Sequence, residues 1–228
     1  MSNFILIGAW WYAAFILSTV IHEAAHAWAA LKLGDETAYE GGQVSLNPEP
    51  HIRREPVGMV VIPLLTYFIG GWMMGWASAP YDPTWAMQYP KRAALMALAG
   101  PVSNLCLAVI AGVIMKIGLW LGLFVYPYSL EFHQVVLPAT PGLLNGVAVF
   151  LSLMFALNIL LFVFNMIPMP PLDGSGVLPL IMNEDHARNY MAFISNPMFM
   201  FLGIYLAWQA IDVIYWPALK FFLVLLYW

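Results

Sequence analysis

Two histidines and a glutamate stand close together in the first apolar stretch of the chain. His22, Glu23 and His26 form the pattern H-E-x-x-H. At 3.6 residues per turn the two histidines share one helical face, so their imidazoles can bind one Zn²⁺ while the carboxylate faces an activated water. Ionisable side chains are costly inside an apolar helix, which favours a functional site. We therefore predict that His22 and His26 bind zinc and that Glu23 is the catalytic base.

A catalytic zinc needs a third protein ligand and an open position for water. Asp173 is the best candidate, because three of the four residues at 168–171 are prolines and must break the preceding apolar helix. The extended backbone that follows can direct the Asp173 carboxylate toward the metal, giving one zinc ion per chain. The alternative is that Asp173 caps a helix. The remaining histidines are weaker candidates, since they lie in polar loops or on the predicted outer side of the membrane: His51, His133 and His186.

The elements that carry these residues belong to a chain that needs lipid as its solvent. Of the 228 residues, 62% are hydrophobic and only 9% are charged, far outside the balance of a soluble globular domain. The eight lysines and arginines form no basic stripe, so nucleic-acid binding has no support. The single cysteine excludes an intrachain disulfide. We expect one domain over residues 1–228, with no room for an appended soluble domain.

Several apolar stretches have the roughly 20 residues that a helix needs to cross a bilayer. They are Phe4–Leu33, Val57–Trp76, Ala93–Val125, Leu143–Met166 and Met198–Trp228. The sequence thus predicts an all-α polytopic membrane protein with about five to six transmembrane or re-entrant helices. Gly70-Gly71 favours a re-entrant hairpin for the second stretch. The last stretch contains Pro217 and is either one kinked helix or a span followed by a short tail.

Six of the eight basic residues fall in three predicted loops, at 32–56, 79–92 and 174–198: Lys32, Arg53, Arg54, Lys91, Arg92 and Arg188. The positive-inside rule places these loops in the cytosol. The H-E-x-x-H motif and Asp173 both lie at this end of their helices. We therefore predict a protein of the cytoplasmic membrane whose active site faces the cytosolic side.

Residues Gly41–Pro48, between the first two apolar stretches, show the partial alternation of a short strand. We predict a small β-strand or hairpin after the first helix, with an irregular polar loop as the alternative. A helical substrate hides its carbonyls in its own hydrogen bonds, so it must unwind, and an exposed strand edge could hold it by β-augmentation. Val44, Ser45 and Leu46 are the predicted edge and hence predicted substrate-binding residues.

A second string, from Asn165 to Gly174, reads N-M-I-P-M-P-P-L-D-G. Together with H-E-x-x-H it resembles the site-2 protease family, whose members carry H-E-x-x-H in one membrane helix and N-x-x-P-x-x-x-L-D-G in another. The stretches Ala99–Asn104 and Gly34–Pro48 are also similar to the family's small prokaryotic members. The resemblance covers roughly residues 15 to 180.

This resemblance implies an intramembrane zinc endopeptidase. It implies the roles already predicted from the residues, with His22, His26 and Asp173 as zinc ligands and Glu23 as the base. It adds Asn165, which would help to hold the substrate backbone near the zinc. The chain departs from many relatives in having no room for a PDZ or CBS domain, which bears on how it is regulated.

The predicted activity is zinc-dependent hydrolysis of peptide bonds in or near transmembrane segments, with transmembrane proteins and the lipid bilayer as partners. We expect Asn104 and the Gly100-Pro101 step to serve a helix kink and close packing rather than substrate binding. Three alternatives stay open: a metal-ion-binding transporter, a catalytically silent homologue that binds membrane proteins, and hydrolysis of a lipid or small amide. Glu23 and the lack of a visible internal repeat weigh against transport.

Overall fold

The computed structural model describes residues 2–228, and long helices dominate it. In chain order the helices are α1 (Ser2–Leu33), α2 (Thr37–Glu40), α3 (Pro48–Arg54), α4 (Ile62–Gly70), α5 (Pro83–Gln88), α6 (Pro90–Trp120), α7 (Leu144–Asn165), α8 (Asp173–Val177), α9 (Glu184–Ile194) and α10 (Pro197–Tyr227). A π-helical turn at Val57–Val61 leads into α4, and a 3₁₀ turn at Leu178–Ile181 follows α8. The strands are β1 (Phe124–Val125) and β2 (Leu137–Pro138).

Four of the helices in residues 2–228, α1, α6, α7 and α10, are long and apolar enough to cross a membrane. Helix α7 lies at the centre, because 61% of its apolar window is buried against 22–39% for the other three. It packs against all three of them, and the apolar core lies between these helices. Helix α10 runs without a break through Pro217, so the last apolar stretch is one helix. The prediction of a helical membrane protein is confirmed, whereas the predicted count of five to six transmembrane or re-entrant helices is not.

The stretch Val57–Trp76 folds back on itself instead of crossing. Its helical part ends at Gly70, and Gly71 takes a left-handed backbone (φ 75°) that favours glycine. The returning chain then lies against its own start, where the Trp76 N–H donates to the Gly58 carbonyl at 3.2 Å. Residues 57–70 cover only about 21 Å as helix, too short for a bilayer core of about 30 Å. The geometry is that of the re-entrant hairpin favoured by the sequence.

The prediction of a strand or hairpin after the first helix is wrong in its location. Residues 44–46 form a bend without ladder partners, because Gly41-Gly42 turn the chain just before them and Asn47 caps α3 just after them. Three residues with no second strand beside them cannot form a ladder. The small sheet lies instead between α6 and α7, where β1 pairs antiparallel with β2 and Val125 is opposite Leu137.

The loop after α1 is held by the buried carboxylate of Asp35. Its Oδ1 accepts from the Thr37 N–H at 3.0 Å and from the Thr37 hydroxyl at 2.6 Å, and its Oδ2 accepts from the Asp82 N–H at 3.0 Å. Burial alone would raise the pKa of Asp35, but these hydrogen bonds hold it below its ordinary value. The ionised carboxylate therefore ties the loop after α1 to the start of α5.

We expect Asp35→Asn to lower the free energy of unfolding by about 1–3 kcal/mol, because an amide nitrogen would face the Thr37 or Asp82 donors and leave one of them unpaired. A lowered folded-state pKa stabilises above the unfolded-state pKa, and this contribution is lost as the pH falls through the folded-state value. The difference between Asp35→Asn and wild type should thus shrink in acid. Thermal unfolding in detergent measures it, with Glu36→Gln, an exposed neighbour, as control. Equal losses in both variants would contradict the assignment.

Candidate functional site

The structure brings His22, His26 and Asp173 together at one end of the bundle. The two histidines lie in the second half of α1, and Asp173 begins α8 just beyond the end of α7. Their candidate ligand atoms all lie within 4.8 Å of one another. Both histidines are buried, at 6% and 7% exposure, and the Asp173 side chain is 22% exposed. His26 and Asp173, 147 positions apart in the chain, thus meet in one largely buried cluster.

The three side chains fit a tetrahedral metal site. His22 Nε2 and His26 Nε2 lie 3.0 Å apart, and Asp173 Oδ2 lies 3.1 Å and 3.4 Å from them. Ligands about 2.0–2.1 Å from a tetrahedral zinc lie about 3.3 Å from each other, which matches these separations. Asp173 Oδ2 is buried with no hydrogen-bond donor among residues 2–228. Two imidazoles and a carboxylate are the donor set of many catalytic zinc sites.

The turn between α7 and α8 sets the position of Asp173. Helix α7 ends at Asn165, and the proline-rich turn is closed by a hydrogen bond from the Leu172 N–H to the Met169 carbonyl at 2.9 Å. Beyond α8, Lys91 of α6 donates through Nζ to three carbonyls of the 3₁₀ turn and its end: Pro179 and Leu180, both at 2.8 Å, and Met182. The chain on both sides of Asp173 is therefore anchored.

Helix α6 supplies the surroundings of both imidazoles through one stripe of residues spaced by four. His26 Nδ1 lies 2.8 Å from the Met96 carbonyl, which can only accept, so His26 donates from Nδ1 and presents Nε2 to the site. His22 Nδ1 lies 2.5 Å from Asn104 Oδ1. A Cβ on Gly100 would come within 2.3 Å of His26 Nε2, so only glycine leaves room there.

These contacts give Gly100 and Asn104 a role beyond the expected kink and close packing, because both residues lie against the imidazoles. Pro101 does lie within α6, but Gly100 and Asn104 beside it face the imidazoles. The sequence carries one signal for this, the spacing of four between Gly100 and Asn104, which puts both on one helical face. Nothing local indicates that this face meets α1.

Glu23 follows His22 in α1 and is buried, at 6% exposure. Its carboxylate forms no hydrogen bond or ion pair with any residue in 2–228, whereas the neighbouring histidines are both held by α6. A buried carboxylate without a protein partner is costly. Beside a candidate metal site, this carboxylate has the chemistry of a general base.

Within residues 2–228, none of the predicted substrate-binding residues forms a hydrogen bond with His22, His26 or Asp173. Asn165 is the last residue of α7 and is partly buried, eight residues before Asp173. Val44, Ser45 and Leu46 lie in the bend before α3, and their backbone N–H groups donate to no acceptor within residues 2–228. The Ser45 carbonyl lies 3.0 Å from Nε2 of the buried His51, which anchors the bend.

An apolar groove lies between this bend and α1. Its volume is about 310 Å³, and it is lined by one side of α1, by one residue of the bend and by the first residue of α3: Tyr12, Ala13, Ile16, Leu17, Val20, Leu46 and Pro48. Tyr12, Ile16 and Glu23 are spaced i, i+4 and i+11 and share one helical face. The groove therefore borders the helical face of α1 that carries Glu23.

Comparisons with known proteins give one consistent result. The model of "Peptidase family M50" matches residues 10–206. YwhC of Bacillus subtilis, a zinc metalloprotease by its name, is 31% identical over 205 residues, which cover 86% of this chain and 83% of YwhC. Rip2 of Mycolicibacterium smegmatis and Rip2 of Mycobacterium tuberculosis, also zinc metalloproteases by name, are 30% and 31% identical over 81% and 77% of this chain. The matches span only 60% and 56% of the Rip2 proteins. No solved structure matches the chain significantly.

Proposed function

Because the chain belongs to peptidase family M50, the site-2 protease family, we propose that it is a zinc endopeptidase that cuts membrane proteins within or close to their transmembrane segments. The observation that carries the proposal is the meeting of His22, His26 and Asp173 beside Glu23 in helices long enough to cross a bilayer. Incubating the purified, zinc-loaded protein with a panel of tagged membrane-spanning substrates tests it. An uncut panel would contradict the proposal.

In this proposal His22, His26 and Asp173 hold one zinc ion per chain, and Glu23 is the base. A zinc ion held there supplies a Lewis acid that activates water and polarises the scissile carbonyl. Glu23 accepts the proton of the attacking water and later passes it to the leaving amine. The contacts to Met96 and Asn104 keep the two imidazoles in place while this happens. No covalent link between enzyme and substrate is needed.

We further propose that the site faces the cytosolic side of the cytoplasmic membrane. Arg92 at the start of α6 donates to the Leu33 carbonyl at the end of α1, so these two helix ends lie together. Lys32 and Lys91 lie at the same end, which is also the end nearer to the imidazoles. Basic residues gathered at one end of a bundle mark its cytosolic side. Fusion of reporters to the loop at 126–142 tests this, and a cytosolic signal there would contradict it.

The substrate is proposed to unwind and bind as an extended segment along the bend at Val44–Leu46. The free N–H groups of the bend offer hydrogen bonds to an extended backbone. The groove beside α1 would accept an apolar side chain, because its walls are apolar, and it borders the helical face of α1 that carries Glu23. Asn165 would hold the substrate backbone from the opposite helix. These substrate contacts favour peptides of membrane segments, which are rich in apolar side chains.

We expect Leu46→Trp to change substrate preference, since a larger side chain fills part of a groove of about 310 Å³. Cleavage of substrates with leucine beside the scissile bond should fall about tenfold relative to substrates with alanine there, the size of effect given by a change of a few methylenes in a pocket. Ratios of kcat/KM measure the change. Tyr39→Trp, at an exposed position in the neighbouring helix α2 and outside the groove, is the control. An unchanged leucine-to-alanine ratio would rule the groove out as a subsite.

A further inference from the structure

A group of uncharged polar side chains lies in the core next to His22, where α1, α6 and α7 meet. Ser18 of α1, Asn104 of α6 and Asn158 of α7 are each fully buried. Apolar residues would pack such a core without any need for hydrogen-bond partners. A buried polar cluster among these helices therefore indicates a functional role. The three side chains form one connected hydrogen-bond network that ends at His22 Nδ1.

The orientation of the Asn158 amide is fixed by a backbone group. Its nitrogen lies 2.7 Å from the Met154 carbonyl, which can only accept a hydrogen bond, and 2.8 Å from the Ser18 hydroxyl. The amide nitrogen must therefore point toward Met154, and Asn158 Oδ1 points toward α6. A reversed amide would set two carbonyl oxygens against each other.

This orientation in turn fixes Asn104. Asn104 Nδ2 lies 2.8 Å from Asn158 Oδ1 and 3.4 Å from the Ser18 backbone carbonyl, and both of these can only accept. Asn104 Oδ1 is then left facing His22, 2.5 Å from Nδ1. Because this oxygen cannot donate, His22 must carry a proton on Nδ1. The lone pair of His22 is thereby placed on Nε2, the atom nearest Asp173 and His26.

We propose that Asn158 and Asn104 are positioning residues that form an orientation relay, through which the Met154 carbonyl selects the tautomer of His22 that can bind metal. The proposal rests on the proposed function, in which His22 is a zinc ligand. His26 needs no relay, since it donates to the Met96 carbonyl directly. Nδ1 of His22 faces the side-chain amide of Asn104 instead of a backbone carbonyl. This amide offers its oxygen to His22 only if neighbouring groups hold its nitrogen on the other side.

The relay predicts different effects for its two members. Asn104→Leu removes the partner of His22 and should weaken zinc binding about 10–100-fold, the usual effect of losing such a partner. Asn158→Leu keeps a similar volume but lets the Asn104 amide turn, so zinc affinity should fall about tenfold. Asn104→Asp, ionised beside His22, presents an acceptor to Nδ1 whichever way its carboxylate turns, and its second oxygen meets Asn158 Oδ1, an unfavourable contact that Asn158→Leu removes. In the Asn104→Asp background, Asn158→Leu should therefore cost less than about twofold.

Two measurements test the relay. The first is zinc affinity, by competition with a chelator, and the second is the tautomer of His22 in the zinc-free chain. Two-bond proton–nitrogen spectra of ¹⁵N-histidine protein report the tautomer directly. We expect the Nδ1–H form in wild type, a mixture of forms in Asn158→Leu, and the Nδ1–H form again in the double variant. Ser152→Ala is the control, because Ser152 is equally buried in α7 but binds the Val135 and Val136 N–H groups away from the site.

The outcomes separate this inference from the proposed function. If Asn158→Leu leaves the tautomer and the zinc affinity of the wild type unchanged, or weakens zinc binding equally with and without Asn104→Asp, the relay is overturned and Asn158 only packs. If wild type binds no zinc while its tautomer responds to Asn158 as expected, the relay stands and the zinc assignment fails. Should Asn158→Leu not fold, Asn158→Ala in both backgrounds gives the same comparison.

Discussion

Glu23→Gln is expected to lower the rate of substrate cleavage by at least about 100-fold while leaving the zinc content of the protein unchanged. Loss of a general base costs about 10²–10⁴ in rate, because water must then attack without a positioned proton acceptor. Glutamine has nearly the shape of glutamate, and Glu23 makes no hydrogen bond or ion pair within residues 2–228 that the change would break. Helix α1 and the three clustered side chains should therefore keep their positions.

Single-turnover cleavage and elemental analysis of the same preparations measure the two halves of this expectation. Glu36→Gln is the matched control, since it removes the same charge from an exposed residue that lies just beyond the end of that helix, in the loop before α2. Control and wild type should cleave equally. Retained cleavage in Glu23→Gln would remove Glu23 from the mechanism, and loss of zinc from it would show that Glu23 is needed to form the site.

Gly100→Ala should abolish both zinc binding and cleavage, although it adds a single methyl group. The added Cβ would lie 2.3 Å from His26 Nε2 and 2.6 Å from His22 Nε2, distances that real Cβ contacts do not reach. Neither ring can move aside freely, because His26 is held by the Met96 carbonyl and His22 by Asn104. We expect zinc affinity to fall at least about 100-fold, since both ligands are displaced together and each partner contact alone is worth about tenfold or more.

Gly112→Ala is the control for this substitution. It changes the same residue type in the same helix, and its Cβ would lie 3.1 Å from the Phe155 ring, an apolar side chain away from the site. Zinc affinity and cleavage should stay near wild type. Equal damage by both substitutions would indicate that α6 tolerates no added methyl group, and would remove the special role of Gly100.

The sequence predicted those residues of the candidate site that a pattern within a single segment reveals. The spacing of His22 and His26 places both imidazoles on one face of α1, and the structure has them 3.0 Å apart. Asp173 was predicted from the proline-rich break before it, and the structure places its carboxylate beside both rings. The long helices were predicted for the same reason, since an apolar run of about 20 residues is a strong local signal.

Features that depend on contacts between distant segments were not predictable. Asn104 meets His22 across 82 positions of the chain, and only the packing of α6 against α1 creates that contact. The sheet was predicted at 41–48, whereas the structure has it within 124–138. A short strand needs a second strand beside it, and the loop between two strands decides whether they can meet. The alternation at Val44–Leu46 was too short to distinguish an edge strand from a bend.

Locating the cut by mass spectrometry, in a membrane-spanning substrate treated with wild type and with Glu23→Gln, tests the central claim most directly. Wild type loaded with zinc should give two fragments whose new ends lie within or next to the apolar segment. Glu23→Gln with equal zinc should leave the substrate whole. A cut far from the membrane, or the same fragments from both proteins, would contradict intramembrane hydrolysis at the His22, His26 and Asp173 site.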